Sequence, residues 1–494
     1  MKVLLVNPPQ TFYPGSDIPA GNLPLGLMYI AAVLEKGGHE VSILDAFMSS
    51  SSVWKSKEKI VIGMSAGRIR EEIRKRNPDV VGISNPFTSQ VENAIAVCDI
   101  AKRVDIKIVT VVGGPHVSAV PIRFLEEAKN ADIVVIGEGE QALLDIVNSV
   151  ERDEKLSDVL GIAFRNGNAI VQTPSRPLLQ NLDELPYPAY HLVDMEQYLE
   201  PKTIEYRSFQ DRSMSMITSR GCPFDCCFCS VHLHMGKPFR SHSADFVVRH
   251  IEYVVNKFRV KTIFFEDDNL TLDIKRFEEI CDRIIERGIK VNWETPNGVR
   301  ADCLNSSLLN KMKKSGCQSL FFGIESGDQG ILDNVIGKRL DLRKVLEVAK
   351  TCKALGLKTG AFYIIGFPGE KRENMIKTVD FALRLRVDYD VGMHLFVATP
   401  SIGTRLYEEC KQKGYIQENL TSRSFAEARQ AQGVPLIETE DFTASEVKQM
   451  AYEAVKRYRR LSLLAHIKSP ERTLRTAVNQ PSIVVKFLRS LHSN

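Results

Sequence analysis

Arg220-Gly221-Cys222-Pro223-Phe224-Asp225-Cys226-Cys227-Phe228-Cys229 gathers four of the chain's ten cysteines into eight residues, while Cys98, Cys281, Cys303, Cys317, Cys352 and Cys410 stand alone. The stretch follows a run predicted as a strand, Ser215–Ser219, so Cys222, Cys226 and Cys229 leave one strand end together. Thiolates are preferred ligands of iron–sulfur clusters, and three of them on a cubane leave the fourth iron open to a small molecule. A closed zinc site wants four protein ligands. No second CxxC pair is present, so His232 and His234 would have to complete one. Cys227 is the spare thiol and reads as a structural residue or a bystander. Ten cysteines without secretory context argue against a disulfide framework.

From Ser213 onward, strand and helix alternate. Strands are predicted at Ser215–Ser219, Thr262–Phe265, Val291–Thr295, Ser319–Gly323, Gly360–Ile365 and Val391–Val397, with amphipathic helices at Phe246–Lys257, Lys275–Arg287, Leu308–Lys314 and Leu342–Leu355. Six such units predict a partial (β/α)6 TIM-type barrel, whose chemistry gathers at the C-terminal strand ends. Upstream, Asn166-Gly167 between two apolar runs predicts a hairpin, and Pro174, Pro177, Pro186 and Pro188 impose an extended connector. Before that lie five shorter units with strands at Lys2–Val6, Glu40–Leu44, Val80–Ser84, Lys107–Val112 and Ile133–Ile136, and helices starting near Leu25, Gly67, Ser89, Ala119 and Gln141. They predict a doubly wound, Rossmann-like parallel sheet of five strands, with ligands outside its carboxyl ends. The chain is thus an α/β protein read as residues 1–155 (sheet domain), 156–212 (hairpin and Pro-rich linker), 213–408 (barrel) and 409–494 (helical region).

A chain of 494 residues is expected to hold about two to four domains. With 44% hydrophobic and 26% charged residues it has a globular composition, and no apolar run is long enough to span a membrane. The N-terminus reads as a buried strand stopped by Pro8 and Pro9 rather than as a signal peptide, so a cytoplasmic protein is expected. A net charge of +4 is too dilute for a phosphate-tracking surface, and no nucleic-acid partner is expected. Basic residues concentrate only between Lys456 and His492, where they interleave with apolar ones. That tail reads as a solvated helical face over an apolar stripe, with peripheral contact to a membrane surface or an anionic substrate as the alternative.

The CxxxCxxC spacing, with aromatic Phe228 before the last cysteine and its place after the first barrel strand, resembles the radical S-adenosylmethionine (SAM) superfamily. Later strand ends match that family's motifs in order: Glu266-Asp267-Asp268-Asn269, Gly298-Val299-Arg300-Ala301-Asp302, Gly323-Ile324-Glu325-Ser326-Gly327, Gly366-Phe367-Pro368-Gly369-Glu370 and Ala398-Thr399-Pro400-Ser401-Ile402-Gly403-Thr404. The resemblance implies a [4Fe–4S] cluster on Cys222, Cys226 and Cys229, and SAM contacts from Phe228, Asp267, Asp268, Arg300, Glu325, Ser326 and Gly366. Buried carboxylates can hold an ammonium or ribose hydroxyls, and Arg300 can clamp a carboxylate. The alternative is that these groups pair with one another as salt bridges on the barrel rim.

A doubly wound domain ahead of such a barrel resembles the cobalamin (B12)-binding branch, which includes many C-methyltransferases and the anaerobic magnesium-protoporphyrin ester cyclases. Val3–Pro9, Asp79–Ser89, Val111–His116 and Ile133–Glu140 carry the match, which implies cobalamin contacts from Ser84, Thr88, Gly113, Gly114 and Gly137. His116 reads either as a contact of the nucleotide tail or as an ordinary hydrogen-bonded loop histidine. The DxHxxG signature is absent, since the first loop reads Pro8-Pro9-Gln10-Thr11-Phe12-Tyr13-Pro14-Gly15-Ser16-Asp17, and that loop offers no histidine beneath cobalt.

The resemblance implies reductive cleavage of SAM at the cluster, hydrogen removal from an unactivated carbon, and methyl transfer through cobalamin to a small-molecule, lipid or tetrapyrrole substrate. It also implies a flavodoxin- or ferredoxin-type electron donor and an anaerobic, monomeric enzyme. The rival outcome is oxidative cyclisation or carbon–carbon coupling without methyl transfer. A non-catalytic cobalamin-binding protein is the remaining alternative, and a methylthiotransferase is disfavoured because no second cysteine cluster stands in the first domain.

Overall fold

The computed structural model describes residues 1–13, 21–48, 53–56, 59–200, 202–204, 207–209, 212–428 and 433–467. In chain order the first domain runs β1 (Lys2–Asn7), α1 (Leu25–Lys36), β2 (Glu40–Asp45), α2 (Ala66–Arg76), β3 (Val80–Ser84), α3 (Val91–Val104), β4 (Val109–Gly113), α4 (Pro115–Ala119), α5 (Pro121–Glu127), β5 (Ile133–Val135) and α6 (Glu140–Glu151). The five strands are parallel in the order β2-β1-β3-β4-β5. β1 is a nearly continuous apolar run, Lys2-Val3-Leu4-Leu5-Val6, because helices cover both of its faces. The order reverses at β1, between β2 and β3, and that switch point opens a crevice at the carboxyl ends.

The helix expected near Ala119 is two helices. Pro121 has no N–H and cannot continue α4, so a second helix starts at Val120 as its cap. The Asn166-Gly167 hairpin forms, with Gly167 at φ +61°, as β6 (Ile162–Asn166) and β7 (Ala169–Gln172). β6 pairs antiparallel with β5, so the hairpin extends the first sheet to seven strands. The connector that follows carries short helical turns, and Leu182 and Leu185 pack on Tyr29 of α1.

The second sheet contains β8 (Ser213–Met216), β11 (Thr262–Phe265), β12 (Asn292–Val299), β13 (Cys317–Glu325), β14 (Lys358–Ile365) and β15 (Gly392–Val397), all parallel and in sequential order. Between β8 and β11 a two-residue ribbon forms from β9 (Ser219–Arg220) and β10 (Arg240–Ser241). The crossover helices are α7 (Ala244–Phe258), α8 (Ile274–Glu286), α9 (Ser306–Lys314), α10 (Leu342–Ala354) and α11 (Arg372–Tyr389). Among the described residues β8 and β15 are not paired, so the sheet is an open partial barrel. The first barrel strand ends three residues before the predicted Ser219, because the Asp267 carboxylate accepts the Thr218 N–H and draws the chain out of the ladder.

α12 (Arg405–Gln412), α13 (Ser422–Ala428) and α14 (Ala444–Ile467) complete the described residues. α14 lays Val447, Ala451 and Ala454 into the core, and its Arg457 pairs with Asp380. This first part of the basic tail is a solvated face over an apolar stripe; Lys468, Arg472, Arg475, Lys486 and Arg489 lie outside the described residues. One hydrophobic core runs from the α1/α6 face of the first sheet, through Tyr190 and Tyr198 of the connector, into the barrel wall. A second, smaller core fills the α2/α3 face.

Candidate functional site

β9 delivers Cys222, Cys226 and Cys229 onto an irregular loop whose sharp start is Gly221, at φ +82°. A Cβ on Gly221 would stand 2.3 Å from the Pro238 carbonyl oxygen, so only glycine lets the two segments approach this closely. The three thiols are half-buried and lie within electrostatic reach of one another. The Cys229 N–H donates to the Cys226 carbonyl at 3.0 Å, which folds the CxxC half into a turn. Asn269 is buried with its amide nitrogen 3.9 Å from Cys222 Sγ.

Burial raises the Cys226 thiol above its usual range, against the opposing pull of the Lys338 ammonium, and pushes Cys229 up to about 12 against a backbone hydrogen bond from Val231. A soft cation reverses that preference, since a coordinating thiol is deprotonated. Among the described residues no three His, Cys, Asp or Glu side chains stand at metal-ligand spacing. Cluster binding therefore asks the three thiols to rotate toward one point, which a shared loop permits. Three thiols and no fourth donor fit a cubane with an open iron better than a closed zinc site.

Cys227 points the other way. It is buried, its N–H donates to Ile336, and its carbonyl accepts from Leu406, so it latches the loop to the body of the barrel. Cys98, Cys281, Cys317, Cys352 and Cys410 are also buried, and burial raises each of those thiols; Cys303 alone of the others is half-buried.

The residues read as SAM contacts divide into two groups. Asp267 is buried and spent on the protein, accepting from Thr218 N at 3.1 Å, from Thr218 Oγ1 at 2.8 Å and from Ser219 Oγ. Arg300 clamps Asp302 at 2.7 and 3.1 Å, donates to the Lys338 carbonyl at 2.9 Å, and stacks 3.9 Å from the Phe224 ring centroid. Glu325 pairs with Lys338 at 2.8 Å, and Ser326 is buried against Thr378 Oγ1 at 2.9 Å. These four do not pair with one another: each is held by a different neighbour, and of them Arg300 reaches the cluster loop itself, at Phe224.

Asp268 keeps part of its surface in solvent, but the protein crowded around its carboxyl, and after that the Asp267 carboxylate, push it up to about 6. Phe228 faces Phe367 with ring centroids 5.8 Å apart. Gly366, at φ +91°, donates its N–H to Glu370 at 2.7 Å. Glu370 is fully buried, its other oxygen has no hydrogen-bond partner, and burial pushes its carboxyl up to about 7.

A cavity of about 570 Å³ lies between the two domains. Ser84, Gly113, Gly114 and Gly137 line it from the first sheet, together with Asn7 and Gln10; Ile217, Ser219, Arg220, His234 and Met235 line it from the barrel side. Gly114 is at φ +128°, and a Cβ there would meet the Asn85 carbonyl oxygen at 2.5 Å. Thr88 and His116 are absent from this wall. His116 Nδ1 lies 3.1 Å from Thr88 Oγ1, and burial lowers the imidazole to about 4, as fits a neutral, hydrogen-bonded loop histidine. The mostly apolar wall, with glycines at the strand ends, fits a large planar ring better than a small polar ligand.

Sequence reading missed Glu138, Glu140, Arg220 and Arg240 as a set. Arg220 meets Glu138 at 2.9 Å and Glu140 at 2.6 Å, and Arg240 meets Glu138 at 2.8 Å. The motif Gly137-Glu138-Gly139-Glu140 was visible, yet nothing in either segment alone shows that its carboxylates cross to Arg220.

The B12 binding domain family matches residues 19–147 and the Radical SAM superfamily matches residues 216–382. An uncharacterized methyltransferase of Pyrococcus horikoshii is 34% identical over 408 residues, covering 83% of this chain and 83% of that protein. Cytidylyl-2-hydroxyethylphosphonate methyltransferase of Streptomyces wedmorensis is 32% identical over 447 residues, 84% of this chain and 82% of that protein. The radical S-adenosylmethionine methyltransferase TsrM from Kitasatospora setae, solved with cobalamin and a [4Fe–4S] cluster, shares the fold. Its TM-score is 0.65 at 17% identity, over 85% of this chain and 79% of that one. Both curated relatives exceed 30% identity across most of their own length, and the chain belongs to the cobalamin-dependent radical SAM family, enzymes that use a [4Fe–4S] cluster, SAM and cobalamin.

Proposed function

We propose that this chain transfers a methyl group, by way of cobalamin, to an unactivated carbon of a small molecule, lipid or tetrapyrrole. The observation that carries the reading is the shared cavity: strand ends of the cobalamin domain and residues flanking the cluster loop wall the same space. When bound, the cluster and SAM supply one-electron hydrogen removal from an unactivated carbon, and cobalamin supplies the methyl group. Both curated relatives bear methyltransferase names, which supports transfer over cyclisation.

In this reading Cys222, Cys226 and Cys229 hold the cluster, and Asn269 orients Cys222. Asp267, Arg300, Glu325 and Ser326 are spent on the protein itself, leaving Asp268, Phe228 and Gly366 to face SAM. Ser84, Gly113, Gly114 and Gly137 cradle the corrin, with Thr88 and His116 supporting them from behind. Phe228 and Phe367 keep water from the reacting carbon. The electron comes from a flavodoxin- or ferredoxin-type donor, and the enzyme works anaerobically as a cytoplasmic monomer.

The test is anaerobic incubation of the reconstituted enzyme with methyl-labelled SAM and a deproteinised small-molecule extract. Label in a new product, with 5′-deoxyadenosine formed alongside, is the expected result. Deoxyadenosine with an unlabelled, dehydrogenated product would overturn methyl transfer in favour of cyclisation.

A further inference from the structure

β9 and β10 form a ladder of only two pairs, and its register sets Arg220 directly opposite Arg240. Like charges placed opposite each other in an antiparallel ladder repel. Here the repulsion is relieved from outside the barrel. Glu138 accepts from both arginines, at 2.9 Å from Arg220 and at 2.8 and 2.9 Å from Arg240. Glu140, at the first turn of α6, takes the other arm of Arg220 at 2.6 Å. All four side chains are between 3% and 11% exposed, so water does little to screen them.

The position of this four-charge cluster gives it a second meaning. Glu138 directly follows Gly137 in the cavity wall, Arg220 lies two residues before Cys222, and Glu138, Glu140 and Arg220 themselves line the cavity. The Arg220 guanidinium also sits 5.7 Å from the centroid of the Tyr29 ring, another wall residue. A molecule that fills the cavity therefore presses on the same ion pairs that order the start of the cluster loop.

We propose that Arg220 is a positioning residue that couples the two cofactor sites, so that cluster binding on Cys222, Cys226 and Cys229 and cobalamin binding in the cavity strengthen one another. The proposal rests on the reading of this cavity as the corrin site. Linkage makes any such effect reciprocal. A clamp of two carboxylates and two guanidiniums is suited to it because it is neutral as a set but leaves a buried charge unpaired when one domain shifts.

The test is titration of hydroxocobalamin, read by its absorbance, into full-length protein under anaerobic conditions. Wild type with its cluster is compared with the cluster-free variant in which Cys222, Cys226 and Cys229 are all replaced by Ala. Wild type with the cluster should bind cobalamin about 5- to 150-fold tighter, the range of ordinary allosteric coupling. In Arg220→Met that ratio should collapse toward one, with iron content and far-UV circular dichroism unchanged. Should Arg220→Met fail to fold, Arg220→Lys decides: a single ammonium keeps the charge but cannot span both carboxylates, so the ratio should fall while the fold stands. In the same samples, cobalamin should shift the electron paramagnetic resonance spectrum of the reduced cluster in wild type and not in the Arg220 variants.

A ratio of one in wild type, or an undiminished ratio in both Arg220 variants, would overturn the coupling. Failure of wild type to bind cobalamin would overturn the cavity reading itself. None of these measurements needs turnover, so they leave the methyl-transfer reading to its own test.

Discussion

Asp267 shows how a residue's chemistry and its position give different answers. A carboxylate ending the second barrel strand reads as a ligand for an ammonium group, but its oxygens are taken by Thr218 and Ser219. Asp267→Ala should therefore lower unfolding free energy by about 1–3 kcal/mol, because the Thr218 N–H is left buried without a partner; denaturant titration measures this, and iron should be lost faster to a chelator. Glu370 carries a different expectation. Its carboxyl is raised from 4.5 to about 7, so the folded protein holds a proton that the unfolded chain releases earlier. Its stabilising contribution is complete below pH 4.5 and is lost as pH rises through about 7. Glu370→Gln should flatten that part of the profile of unfolding midpoint against pH. The cysteine spacing was legible because three ligands on one loop are close in sequence. The tasks of Asp267, Arg300 and Glu370 were not, because each depends on partners brought near only by folding.

Among the elements, strands were the most legible. The first sheet shows apolar runs buried on two faces, which identify buried parallel strands whatever the chain does between them, whereas in the second sheet β15 alternates between buried and partly exposed positions. Boundaries moved where side chains compete with the ladder, as at Met216, and where β12 continues to Val299. The β4–α4 junction makes a sharper test. Gly114 approaches the backbone of Asn85 too closely for any Cβ, at a positive φ. Gly114→Ala should destabilise the protein by about 1–3 kcal/mol and weaken cobalamin binding, whereas Gly38→Ala, where a Cβ meets nothing within 4 Å, should pay only for its φ of +88° and leave cobalamin affinity unchanged.

For the whole molecule, the continuous core joining the first sheet to the barrel has a cooperative consequence. Two domains were legible in the sequence as two runs of strand and helix, but not that the connector's Tyr190 and Tyr198 would fuse their cores. The chain should unfold as one unit. In a Trp54→Phe background, fluorescence of buried Trp293 in the barrel and far-UV circular dichroism should trace one transition with a common midpoint; two separated transitions would show independent domains. Cys226→Ala should abolish deoxyadenosine formation without changing that transition's cooperativity, since the half-buried thiol packs only on the edge of the core.

The unequal burial of the ten thiols gives the protein an internal chemical ledger of its cluster. Cys98, Cys227, Cys281, Cys317, Cys352 and Cys410 are shielded from an alkylating reagent until the chain unfolds, and half-buried Cys303 supplies a constant background. Cys222, Cys226 and Cys229 should be protected while they ligate iron and, once it is removed, become alkylated at raised pH, since burial holds the free Cys226 and Cys229 thiols protonated. Brief iodoacetamide labelling followed by peptide mass spectrometry would then count occupied sites molecule by molecule, distinguishing a half-loaded preparation from a uniform one where a bulk iron assay cannot.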